Sequence, residues 1–176
     1  YNAVQLGRDK DALKALWVQL KMNGALAEGI GIREMPEEWF ESIDGKNDNP
    51  MITSIKVFYC NRLMEMHKFE QTKEEIKKVL ESNMVLVGVY RHLLICDYIY
   101  CELIDGNIIE AEEFYTKDLQ KFMKSMKKFP AILRTKYTYE LLHNKDSKQA
   151  EKLRTLFNIM SEKYPYTSDI EAENEL

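Results

Sequence analysis

His92 and Cys96 stand four residues apart, a type and spacing that put a nitrogen and a sulfur ligand on one helix face. A metal site needs more than that pair. Cys101 is nine residues from His92, about 900° of helical rotation at roughly 100° per residue, and faces the opposite side. His67 and His143 fall in or beside turns, and the chain has neither a His-x3-His nor a Cys-x2-Cys pair. No metal is expected, and the cysteines read as small buried hydrophobes. Cys60 and Cys96 lie on apolar helix faces without a glycine-rich elbow or a base beside them, so nucleophilic catalysis is not expected either. Gly29-Ile30-Gly31 lacks the Lys-Ser/Thr that a phosphate loop needs. Carboxylates such as those of Lys73-Glu74-Glu75-Ile76-Lys77-Lys78 read as solvated helix surface with i,i+4 pairs. The expectation is a domain with no catalytic residues and no cofactor.

Bulk charge narrows the partners. Lys and Arg total 25 against 29 Asp and Glu, a net charge of −4, which gives no attraction for nucleic acid. Three cysteines cannot build a disulfide framework and read as reduced thiols of a cytosolic protein. Hydrophobic residues at 45% and charged residues at 31% fit one folded domain, and four prolines leave room for long helices. The most apolar stretch, 84–104, is interrupted by Arg91, His92, Asp97 and Glu102, so it reads as a buried helix of a soluble protein. No signal peptide is recognisable. The start at Tyr1 fits either a trimmed end or a domain cut from a longer protein.

The elements that would position any site are helical. Leu13, Leu16, Trp17, Leu20, Gly24 and Ala27 recur at helical spacing and predict a first helix over 11–27, with this stripe inward. Asp9 and Asp11 suit its N-terminus, and Gly29 and Gly31 its end. A short helix from Pro36 carries Trp39 and Phe40 inward. The polar run 44–50 marks a boundary. Beyond it the chain repeats every 39 residues: Ile55, Leu94 and Leu133; Tyr59, Tyr98 and Tyr137; Met64, Leu103 and Leu142; Thr72, Ala111 and Ala150. Each copy reads as a helix, a polar turn and a second helix. A small residue early in the second helix lets the two backbones approach.

The Tyr-x8-turn-x4-Ala pattern, most complete in Asp105-Gly106-Asn107-Ile108-Ile109-Glu110-Ala111, resembles tetratricopeptide repeats. The period of 39 in place of that family's 34 and the missing glycines in the first and third turns make the copies degenerate. The segments Ala15-Leu16-Trp17-Val18-Gln19-Leu20-Lys21, Met35-Pro36-Glu37-Glu38-Trp39-Phe40 and Tyr164-Pro165-Tyr166, with Glu171 and Glu173 after them, are similar to the soluble C-terminal region of bacterial site-2-protease-like membrane metalloproteases. That resemblance implies the cytoplasmic part of a protein tethered to the membrane by an upstream segment. The family's zinc-binding His-Glu-x-x-His is absent from this sequence, so no catalytic residue carries over.

The repeat resemblance implies a concave groove lined by the first helices, with Asn61, Tyr100 and Tyr139 in one column and Met64 and Arg134 near by, suited to a peptide or a partner helix. Equally, the two tyrosines can pack between helices with only their hydroxyls at the surface. Lys121, Lys124 and Lys128 share a face of 117–129, opposite Phe122, Met126 and Phe129. Such a stripe suits an anionic membrane surface, or simply faces water. The expected architecture is all-α: an N-terminal helical cap (1–48), three hairpins in a short right-handed tetratricopeptide-like superhelix (49–166) and an acidic tail (167–176). The expected function is a non-catalytic protein- or peptide-binding or regulatory domain. A free-standing peptide sensor and a helical hydrolase with an unrecognised site are the alternatives.

Overall fold

In the computed structural model, residues 10–41 and 50–176 are described, and the fold is all-α, with no strand among the described residues. Helix α1 spans Lys10–Ala27, followed by 3-10 turns at Ile32–Glu34 and Glu37–Trp39. Then come α2 (Pro50–Glu65), α3 (Phe69–Glu81), α4 (Gly88–Ile104), α5 (Ile108–Phe114) and α6 (Lys117–Ser125). Helix α7 (Pro130–Thr138) runs on into a π-helical turn at Tyr139–His143, and α8 (Ser147–Ser161) and α9 (Thr167–Glu175) complete the chain. Of the expected boundary at 44–50, all but Pro50 lies outside the described residues; that proline opens α2, where its missing N–H leaves no bond unmade.

Three hairpins, α2–α3, α4–α5 and α7–α8, turn in the same way at the same interval. His67, Gly106 and Lys145 take left-handed backbone at φ 55°, 81° and 55°, each 39 residues from the next. The backbone then closes the helix end: Lys68 N–H donates to Leu63 O at 2.9 Å and Asn107 N–H to Glu102 O at 2.8 Å. In the third hairpin Asp146 N–H reaches Glu140 O at 2.8 Å, one residue further back, because α7 has closed in a π turn. Thr72, Ala111 and Ala150, five residues beyond each turn residue, are all buried, so the small column does let the hairpin helices approach. Ile55, Leu94 and Leu133 are buried in step. Lys73 ties the first hairpin to the second by ion pairs with Asp105 and Glu102. Helix α2 packs on α1, α3 and α4, and α4 packs on α5 and α7, so the first helices form the middle of the molecule.

Four expectations change. The stripe on α1 is turned outward: Leu13, Trp17 and Leu20 are exposed, while Ala12, Ala15, Val18, Met22 and Ala25 are buried. Both stripes have helical period; the smaller residues win because they let α1 lie close on Ile52 and Ile55 of α2. The apolar run 84–104 is helical only from Gly88, and the β-branched Val85 and Val87 before it lie exposed in extended chain. The basic segment 117–129 is not one helix. It breaks after Ser125, and Phe129 is extended, as the residue before Pro130 must be. The acidic tail is not a tail: it is helix α9, and it buries Ser168 and Ala172. Among the described residues no helix is long and apolar enough to cross a membrane.

Candidate binding groove

Helices α2, α4 and α7 present one shared face, and α9 lies in it. On the α1–α2 side of α9 a cavity of about 230 Å³ is bounded by Asn61, Met64, Glu65, Leu93 and Asp97 among others. On the α7–α8 side a second cavity of about 370 Å³ is bounded by Leu133, Tyr137, Leu141, Leu153 and Phe157 among others. Arg134, Glu173 and Leu176 border both, so α9 divides a single groove.

Arg134 is the centre of its chemistry. The side chain is buried, at 7% exposure, between the carboxylates of Asp97 and Glu173. Its Nη2 donates to Asp97, its Nη1 donates to both oxygens of Glu173 at 3.0 Å, and its guanidinium lies 4.7 Å from the Tyr100 ring centroid. A guanidinium taken out of water loses several kcal/mol of hydration, which two anions and a ring face offset here. The Tyr100 hydroxyl donates to the main-chain oxygen of Leu176 at 2.5 Å, and the Leu176 side chain, like that of Phe69, packs against the cluster of Met64, Tyr100 and Cys101. At the rim Arg33 pairs with Glu175, Nη2 to Oε1 at 3.0 Å, and the Arg33 main-chain N–H donates to Glu65 at 3.1 Å.

Acid is in excess inside. Asp97, Glu173, Glu65 and Asp169 face the groove, with buried Arg134 at its centre, half-buried Arg33 at its rim and exposed Arg154 on the α8 wall. Burial raises the pKa of Asp97 against the pull of Arg134. Burial likewise pushes Glu173 up to about 7, Arg134 pulling it down and Asp97 pushing it further up. Glu65 is pushed up to about 7 by burial, opposed by the Arg33 amide, and Asp169 is raised by burial. One guanidinium serves two buried carboxylates, so one negative charge is left over, and a proton near neutral pH relieves it.

Of the residues expected in the groove, Asn61, Met64, Tyr100 and Arg134 come together there. Tyr139 does not. It is sandwiched between Tyr115, at 3.8 Å between ring centroids, and His143, at 4.3 Å. Tyr139 opens the π turn, and its ring sits in the core beside Cys96 and Ile132. Lys121, Lys124 and Lys128 are exposed, the first two on α6 and the third in the turn after it. His92 and Cys96 do not converge on a shared ligand position. His92 bonds Gly88 O at 2.8 Å and Asp118 at 3.0 Å, and Cys96 is fully buried. Burial pushes the Cys96 and Cys101 thiols up to about 12 and Cys60 higher still, which keeps all three protonated and unreactive. Among the described residues no three His, Cys, Asp or Glu side chains gather as metal ligands would.

Sequence reasoning passed over Asp97, Glu65, Glu173 and Leu176. Asp97 carried a signal: a carboxylate amid the apolar run of α4 is buried only with a cation, and Arg134 lies 37 residues on, close to one repeat. Comparison with known proteins gives no matching family model, no matching curated protein and no matching solved structure.

Proposed function

We propose that this chain is a non-catalytic helical-repeat domain that binds a protein or peptide segment in the groove of α2, α4 and α7, the hairpins stacking in tetratricopeptide-like fashion. One observation carries the reading. The groove already holds a peptide segment, helix α9, through a buried Arg134–Glu173 pair and the seating of Leu176 on Met64 and Tyr100. Apolar walls with a few convergent polar groups are what helix-in-groove recognition uses. The buried, protonated thiols favour a domain without a nucleophile.

Peptide-display selection on the immobilised protein tests this. Selected peptides should bind the wild-type chain and lose at least tenfold in affinity to Asn61→Trp, which fills the smaller cavity from its half-buried wall. Failure to select any peptide, or indifference to Asn61→Trp, would remove the groove as the binding site.

The sequence resemblance extends the proposal to a cytoplasmic domain tethered to the membrane by an upstream segment of a metalloprotease-like parent. Transmembrane helices and a His-Glu-x-x-His motif encoded upstream of Tyr1 would support that extension, and their absence from the gene would end it.

A further inference from the structure

Helix α9 is poorly suited to being a permanent part of the core. Of its residues Ser168 and Ala172 are buried, and the Glu173 side chain is nearly so. It carries Asp169, Glu171, Glu173 and Glu175 and no cation, and it brings Asp169 and Glu173 to a face that already holds Glu65 and Asp97. Ser168 Oγ and Arg134 Nε, both buried at this contact, have no hydrogen-bond partner among the described residues. Cavities of about 230 and 370 Å³ flank it. Two anchors hold it in place: the Glu173 carboxylate on Arg134, and the Leu176 side chain and main-chain oxygen on Met64 and Tyr100. The anchors are three residues apart, one turn along a single helix face.

We propose that α9 is a built-in stand-in for the groove's true ligand. The partner that displaces it is a helical segment of another protein carrying a carboxyl side chain for Arg134 and, three residues on, an aliphatic side chain for the pocket of Met64, Phe69 and Tyr100. This rests on the binding reading above and adds the ligand's chemistry and the groove's regulation. The five-residue link between α8 and α9 (162–166) keeps α9 at an effective concentration on the order of millimolar. If its contacts have micromolar strength, the closed groove weakens a competing ligand by roughly 1,000-fold. A partner then succeeds by adding contacts in the two flanking cavities.

The test uses the full chain and a fluorescein-labelled peptide of residues 165–176 as probe. The Glu173→Ala/Leu176→Ala double variant removes the carboxylate and the aliphatic side chain that anchor α9 and leaves the Asp97–Arg134 pair intact. It should bind the probe at least tenfold more tightly than the wild-type chain does. On that variant, a probe carrying Glu173→Ala or Leu176→Ala should bind at least tenfold more weakly. Equal binding by wild type and double variant overturns the latch, and indifference to the probe's substitutions overturns the ligand chemistry. If the double variant does not give a cooperative melt, hydrogen exchange of the wild-type chain decides: α9 amides should exchange well before those of α4, and exchange of both together overturns the proposal. Concentration-dependent dimerisation of the wild type that the double variant abolishes would seat a second copy's α9 in the groove and overturn the trans partner. Should a display-selected peptide bind at Asn61 without being displaced by the 165–176 peptide, the latch falls and the groove reading stands. Should neither peptide bind, both fall.

Discussion

Replacing Glu173 by glutamine deletes a buried ion pair, yet the surroundings of that carboxylate predict that the protein becomes more stable above neutral pH. Glu173 meets Arg134, Asp97 and, more distantly, Asp169 and Glu65, and burial lifts its pKa from 4.5 to about 7. Between those two values the folded state holds a proton that the unfolded chain has released. Stability contributed by this group is therefore present below 4.5 and lost as pH rises through about 7. The rise from 4.5 to about 7, at about 1.4 kcal/mol per pH unit, sets an upper bound of about 3.5 kcal/mol. Because the four carboxylates influence one another, relief at one lessens the gain at the next, and about 1–2 kcal/mol is the expected effect. Glutamine keeps the shape and resembles the protonated acid. Glu173→Gln should raise the urea-unfolding free energy by about 1–2 kcal/mol at pH 8 and change it by less than about 0.5 kcal/mol at pH 5. The wild-type chain should gain stability from pH 8 down to pH 5.5 more steeply than the variant. A loss of about 1 kcal/mol or more in Glu173→Gln at pH 8 would refute the reasoning, since it would mean that Arg134 outweighs the cost of burying the second carboxylate.

Three further outcomes are expected. Ala111→Leu and Ala150→Leu, at nearly fully buried hairpin positions, should each destabilise by about 1–3 kcal/mol in chemical denaturation, and changes within about ±0.5 kcal/mol would contradict the close hairpin crossing. His67→Gly and Lys145→Gly relieve left-handed backbone worth roughly 1–2 kcal/mol and add unfolded-chain entropy worth roughly 0.5–1 kcal/mol, so each should stabilise by about 0.5–1 kcal/mol and raise Tm by about 1–4 °C; a lower Tm contradicts this. Wild-type protein should sediment weakly with anionic vesicles at low salt and not with neutral ones, each exposed lysine contributing about 1 kcal/mol, and reversal of Lys121, Lys124 and Lys128 to glutamate should abolish it without a marked change in Tm. Indifference of the wild type to anionic vesicles would leave those lysines as a solvated face.

The hairpins were legible because their cause is local. The 39-residue period reports turn chemistry and small-residue packing, and the left-handed residues fall on it at His67, Gly106 and Lys145. Asn61 and Tyr100 were legible because they share one column of that period, with Met64 and Arg134 near by. What escaped depends on competition between distant segments. Helix α1 has two apolar stripes of equal period, and the closeness of α2 decides between them. Tyr139 follows the column in sequence but not in space: its ring stacks on Tyr115 and His143 in the core. Helix α9 is rich in carboxylates and reads as solvated chain until Arg134 is known to face it. The acidic residues of the groove were invisible for the same reason: a charged side chain declares itself buried only through its partner.

The most direct test of the groove is an NMR titration of the full chain with a display-selected peptide. Amide shifts should concentrate at Asn61, Met64, Tyr100 and Arg134, while the resonances of residues 167–176 move to the positions they hold in the free 165–176 peptide. Perturbations confined to other surfaces, with α9 still docked at saturation, would contradict the account.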